Sequence, residues 1–294
     1  MKATFAAALA AAVLVAAGPA AADPDWTKVG EALGKAGAMQ PGGVYKVSLP
    51  RSDLSVTLDG VALKPGFALG GWLAFEPMSD QAMVMGDLVL TQSEANPVMA
   101  RLQAEGIEIT ALHNHLLRST PMTLYMHVEG RGDPVKLASA LHAGLTLSKT
   151  PFGAGAPSAP SPAPDLDVAA IDQALGAKGK LNGGVLQYAI PRKEAIRDGD
   201  MTVPPAMGTA ISINFQPAGA ATAAITGDFV LVASEVNPVI KALRGHGIEV
   251  TALHSHMLND EPRLFFLHFW GHGPAKALAE GLAAALAQTN AQRS

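Results

Sequence analysis

The chain has 294 residues, a formal net charge of −4 and no cysteine. The absence of cysteine excludes disulfide staples, thiolate metal ligands, cysteine nucleophiles and lipid attachment at a lipobox, so any metal must rest on histidine and carboxylate. The mildly acidic balance, without a basic cluster, excludes the electrostatic footprint of a nucleic-acid binder.

In chain order, Met1-Lys2, an apolar run from Ala6 to Ala17 and then Gly18-Pro19-Ala20-Ala21-Ala22 form the three zones of a secretory signal peptide over residues 1–22. The apolar run is too short to span a bilayer, which takes about 20 apolar residues. The expectation is an exported protein, periplasmic or secreted, with no transmembrane segment after cleavage. A first repeat over residues 23–147 opens with a short helix at Trp26 to Gly37. A strand ending in Pro50-Arg51 follows, then strands around Leu69 to Phe75 and Ala82 to Leu90. Ser93-Glu94-Ala95-Asn96-Pro97 supplies Asn96 as N-cap and Pro97 as first helical residue, and Gly106 closes that helix. A strand, a hairpin, a second strand and a helix from Pro134 complete the unit.

Residues 148–164, rich in Pro, Ala, Gly and Ser, read as a semi-rigid linker. A second repeat over 165–290 then runs through the same order. Residues 86 to 117 realign on 227 to 258 without a gap, 19 of 32 positions being identical. Strand, helix, strand, strand, helix is the order of much of a ferredoxin-like sandwich, so each repeat is expected to be an α+β unit with a mainly antiparallel sheet. By analogy with isologous homodimers, the copies are expected to pack as a pseudo-twofold pair.

The duplication sorts nine histidines into six that recur and three that do not. The recurring six are His113, His115 and His127 in the first copy and His254, His256 and His268 in the second. Strict alternation puts Ile107, Ile109, Ala111, His113 and His115 on one face of a strand. A turn centred near Thr120 sets His113 opposite His127, and one near Glu261 sets His254 opposite His268. Three imidazoles then converge in each repeat, a donor set suited to zinc, copper or iron with an open position for water or substrate. His142, His246 and His272 have no histidine counterpart and read as surface residues.

Among the other duplicated polar residues, Glu94 and Glu235 precede a helix, where capping is favoured over a place in the site; in an enzyme they are the available bases. Arg51 and Arg192 read as solvated strand ends, or else as anion ligands. Asp87 and Asp228, each after a glycine at a strand start, read as turn formers. Met83, Met85 and Met126 align with Ala224, Thr226 and Leu267, so core filling is preferred to copper ligation. A Gly-rich phosphate loop, a nucleophile elbow and a His-Glu-x-x-His helix are all missing.

The segments Ser-Glu-x-Asn-Pro-Val, Gly-Ile-Glu and Thr-Ala-Leu-His-x-His, with the later histidine, resemble the LppY/LpqO-like family of exported bacterial proteins, which carry an often duplicated domain of unknown function 1259. The resemblance implies export and domain identity and no activity; the lipobox cysteine of the lipoprotein members is missing here. Two functional readings follow, beside a structural one in which the histidines are satisfied inside the sheet. One is a transition-metal site per repeat, whose use in hydrolysis, oxidation or sequestration is left open. The other is a metal-free binding module for a small molecule or an envelope partner.

Overall fold

A computed structural model describes residues 24–153 and 164–293. The signal-peptide reading lies outside the described residues, as does most of the 148–164 tract. The first repeat contains α1 (Trp26–Leu33), β1 (Ala38–Met39), β2 (Tyr45–Pro50), β3 (Thr57–Leu58), β4 (Val61–Ala62), α2 (Pro65–Ala68), β5 (Gly70–Met78), β6 (Gln81–Thr91), α3 (Gln92–Ala104), β7 (Glu108–His113), β8 (Thr123–Gly132) and α4 (Pro134–Leu145). The second contains α5 (Val168–Leu175), β9 (Lys180–Asn182), β10 (Val185–Ile190), β11 (Arg197–Asp198), β12 (Met201–Thr202), a 3-10 turn at Pro205–Met207, β13 (Ile211–Gly219), β14 (Thr222–Val232), α6 (Ala233–Gly245), β15 (Glu249–His254), β16 (Asp260–Glu261), β17 (Leu264–Pro274) and α7 (Ala275–Leu286).

Each repeat builds one six-stranded antiparallel sheet. The orders are β1-β2-β5-β6-β8-β7 and β15-β17-β14-β13-β10-β9, which makes the expected α+β class with mainly antiparallel sheets a property of the structure. Along β6, Val84, Leu88 and Leu90 point to one face, where they join Val29, Leu33, Val98, Leu102 and Leu141 of α1, α3 and α4 in a core. Alternation sends Met83, Met85, Asp87 and Val89 to the other face. That inner face meets the second sheet: Val89, Leu116 and Tyr125 pack with Val185, Ala224 and Trp270, and Ala74, Met83 and Met85 join the second repeat's core. With both faces covered, β6 is buried along most of its length. Helices thus flank two sheets that face each other.

The excursion after each Pro-Arg pair crosses to the opposite repeat. In one direction, Gln216 accepts from the Lys64 amide at 2.8 Å and donates to the Ala62 carbonyl at 2.8 Å, while Gln187 donates to the Gly66 carbonyl at 2.7 Å. In the other, Lys46 donates through Nζ to the Ala206 carbonyl at 2.8 Å and Arg131 donates to the Asp198 carbonyl at 3.1 Å. These buried or half-buried bonds fix the sheets against each other at a register that packing alone leaves loose.

Helix α3 corrects one expectation. It begins at Gln92, with Thr91 in extended conformation as its cap and Pro97 inside it. The Glu94 carboxylate accepts from the Thr91 amide at 2.8 Å, satisfying a donor that the helix leaves open and fixing the start ahead of Asn96. Gly106 does close it, at φ 81°, with the Ile107 amide returning to the Leu102 carbonyl at 2.9 Å.

Candidate metal centre

The local fold places the histidines through a β-bulge. Ile109 pairs with Val128 but Ala111 pairs with His127, leaving Thr110 as an extra residue; Val250, Thr251 and Ala252 repeat the pattern against Phe269 and His268. An inserted residue reverses the alternation. Ile107 and Ile109 therefore pack toward the helices, while Ala111 and His113 face the other sheet, which corrects the single-face reading of Ile107 to His115. The hairpin register also differs from expectation: His113 pairs with Tyr125 and His254 with Phe266. A two-residue slip keeps the face, so His113 still points inward.

The six recurring histidines form one group across the interface. His113 stacks on His254 with ring centroids 3.5 Å apart. His115 stacks on His268 at 3.6 Å and His127 on His256 at 3.7 Å, a reciprocal pattern of the isologous kind. Within a repeat the separations are wider, 5.0 Å for His113–His115 and for His113–His127. Tyr125 backs His115 at 3.4 Å and Phe266 backs His256 at 3.5 Å.

Two carboxylates complete the arrangement. Asp87 lies in the middle of β6 between Trp72 and His127, and Asp228 in the middle of β14 between Ser212 and His268. Neither forms a turn, which corrects that reading. Each follows a glycine because the neighbouring strand leaves no room: a Cβ on Gly227 would stand 2.0 Å from the Ser212 carbonyl oxygen, and one on Gly86 2.5 Å from a Leu73 methyl. His127 Nε2 stands 4.0 Å from Asp87 Oδ1, His268 Nε2 3.8 Å from Asp228 Oδ1 and His256 Nε2 3.9 Å from Asp228 Oδ2. These gaps are too long for hydrogen bonds.

Donors fall into three sets, each within 4.8 Å: His113, His115, His254 and His256; Asp87, His115 and His127; Asp228, His256 and His268. The Nε2 atoms of all six histidines and Oδ1 of both aspartates are buried without a hydrogen-bond partner. Buried polar atoms are rarely left so, and each costs about 1–3 kcal/mol. Donors around a tetrahedral zinc stand about 3.3 Å apart, so an ion would draw these inward by a small movement. His268 Nδ1 stands 2.9 Å from the Gly227 carbonyl; with the proton on that nitrogen, Nε2 presents its lone pair.

Charge points the same way. Burial holds His113 down to about 4 and His254 to about 3, and it keeps His115, His127, His256 and His268 well below the ordinary histidine value. All six rings are then neutral at pH 7, the form in which an imidazole can bind a metal. Burial pushes Asp87 up to about 7, with only Lys46 opposing it, and lifts Asp228 well above the carboxylate range, Asp87 adding to the effect. Burial thus disfavours the ionised form of both carboxyl groups, and a cation beside them would favour it.

The accessory candidates lie elsewhere. Arg51, 1% exposed, donates to Glu94 at 2.8 and 3.1 Å, to Asp53 at 2.8 Å twice and to the Val89 carbonyl at 2.7 Å. Arg192 repeats this with Glu235, Glu194 and the Val230 carbonyl. The solvated-end reading of Arg51 and Arg192 is thereby corrected. Glu94 and Glu235 are also committed to backbone amides, Thr91 and Lys149 for one, Val232 and Asn290 for the other, which removes them as bases. His246 and His272 are exposed, whereas half-buried His142 bonds the Leu33 carbonyl at 2.8 Å. Asp87 and Asp228 are the residues that sequence reasoning misplaced; their signal was a lone carboxylate repeated inside an eleven-residue apolar strand.

The fold and the site define a two-repeat α+β chain with histidine and carboxylate donors gathered between its halves. A family model described as Domain of Unknown Function (DUF1259) matches residues 27–147 and 169–288, and the chain belongs to that family in two copies. No curated protein matches it. Among solved structures it is similar to a trimeric bacterial microcompartment shell protein, PduB, at 12% identity and TM-score 0.22, covering 86% of this chain and 89% of that one. It is also similar to EtuB from Clostridium kluyveri, at 8% identity and TM-score 0.20 over 85% and 88% of the two chains. EutL from Clostridium perfringens follows at 11% and 0.18 over 83% and 91%. Likeness at this level carries no argument about fold or function. Among the described residues, no helix is long and apolar enough to cross a membrane.

Proposed function

We propose that this chain is an exported protein that binds a transition metal between its repeats, through His113, His115, His127, His254, His256 and His268 together with Asp87 and Asp228. The observation that carries the reading is the convergence of unpartnered, buried Nε2 and Oδ1 atoms from both halves on one interface. Nitrogen and carboxylate donors without sulfur suit zinc, copper(II) or iron rather than calcium or magnesium. A bound ion of this class supplies Lewis acidity and lowers the pKa of a coordinated water. The protein's part is to hold neutral imidazoles, orient them by stacking on Tyr125 and Phe266, and restrict access. A small cavity, with room for little more than a water molecule, is lined by Trp72, Met85, Thr110, Met207, His127 and His256, among others.

Export rests on the leader-like residues 1–22 and the resemblance to LppY/LpqO-like proteins. We also read β6, α3, β7, β8 and α4 as a ferredoxin-like element, related to its copy by a pseudo-twofold axis. Elemental analysis of the purified mature protein tests the function, with and without the paired substitution His113→Ala and His254→Ala. Metal in the wild type and its loss from a folded double variant support the reading. A wild type that takes up none after reconstitution defeats it in favour of a metal-free binding groove.

A further inference from the structure

We infer that the centre is dinuclear, one ion on Asp87, His115 and His127 and a second on Asp228, His256 and His268, with His113 and His254 between them as the remaining donors. This rests on the metal-binding reading and specifies its stoichiometry.

The donor sets decide between one ion and two. His115 and His256 belong both to the central four-histidine set and to the flanking sets, and each has Nε2 buried without a partner. An ion in the central set takes those two nitrogens and leaves Asp87 and Asp228 facing a single histidine each, their Oδ1 atoms still unpartnered. Ions in the flanking sets use both nitrogens and both carboxylates. Each flanking set is moreover made within one repeat, at equivalent strand positions: Asp87 pairs with His127 as Asp228 pairs with His268. A duplicated chain copies such a set whole. His113 and His254 stack at 3.5 Å with both ring nitrogens of each unpartnered. Each flanking set supplies three protein ligands, and an ion that prefers four has one position left for a neighbouring ring or a water.

The small cavity touches His127 of one set and His256 of the other, and the reciprocal pair His115 and His268 does not line it.

The test is native mass spectrometry and elemental analysis of the full chain reconstituted with zinc, compared with Asp87→Asn, Asp228→Asn and the double variant. The expected result is two ions per chain in the wild type, one in each single variant, and about 100-fold or more weaker binding in the double variant. Circular dichroism confirms that each variant is folded, and asparagine keeps the shape of the side chain it replaces. One ion in the wild type, held equally well by the double variant, assigns the central four-histidine set and overturns the inference while leaving the metal reading intact. No ion in the wild type is the separate failure of the reading itself.

Discussion

His113 and His254, 141 positions apart, lie ring on ring at 3.5 Å, and neither has a hydrogen-bond partner for either ring nitrogen. In the metal-free protein this pair is a liability, since buried polar atoms without partners cost stability. Replacing both by leucine is expected to raise the melting temperature of the chelator-treated protein by a few degrees, in line with about 1 kcal/mol per relieved group. Zinc is expected to raise it by more in the wild type than in the double-leucine variant. Calorimetry with and without chelator checks both; a double-leucine variant that melts lower without metal contradicts the role assigned to these rings.

The Arg51–Glu94 ion pair is expected to be structural and independent of metal. Arg51→Ala strands a largely buried carboxylate and should cost about 3–5 kcal/mol in urea denaturation, with unchanged metal content in the molecules that fold. Arg51→Lys should recover little, because an ammonium cannot serve the five contacts made by the guanidinium. Loss of metal at full stability in either variant would place the pair in the site after all.

Acid should reveal Glu94. Burial alone would raise its pKa, but the bonds from Arg51, Thr91 and Lys149 hold it down to about 2 from an ordinary 4.5. A depressed carboxylate contributes stability that is fully present above the unfolded value and lost as pH falls through the folded one. The stability gap between wild type and Glu94→Gln should be constant above about pH 5 and close between about pH 4.5 and pH 2. A gap that persists unchanged at pH 2 refutes the ionised assignment.

The histidines act in the same direction over a higher window. His113, near 4 in the folded chain because of burial, stands against 6.5 when unfolded, so the unfolded state binds more protons across that window and stability rises with pH. Metal-free protein should lose stability steadily from pH 6.5 toward 4. The His113→Leu, His254→Leu variant should have a flatter profile, measured by thermal melts in a pH series.

Much of the candidate site was legible because the duplication marked all six histidines, and the order of elements marked the sheet class. Three features were not. The bulge at Thr110 and Thr251 has no turn residue to announce it, yet it reverses the face on which Ile109 and His113 lie. Asp87 was visible as a polar residue in an apolar strand, but its neighbours His115 and His127 come from distant parts of the repeat, and long-range packing leaves no local pattern. Arg51 follows a proline at a strand end, where exposure is the ordinary outcome; only the closed network with Glu94 and Asp53 explains its burial.

The glycine before each aspartate is expected to matter unequally. Gly227→Ala meets a backbone carbonyl, whereas Gly86→Ala meets first a leucine methyl, which moves more easily. The former should cost about 1–3 kcal/mol and displace Asp228 with His268, the latter less; denaturant titration and metal content rank the two.

Anomalous diffraction from zinc-loaded crystals tests the central claim most directly. The account predicts anomalous density between the two sheets, about 2.0–2.1 Å from histidine nitrogens contributed by both repeats. Density confined to exposed His246 or His272, with none between the sheets, would contradict it.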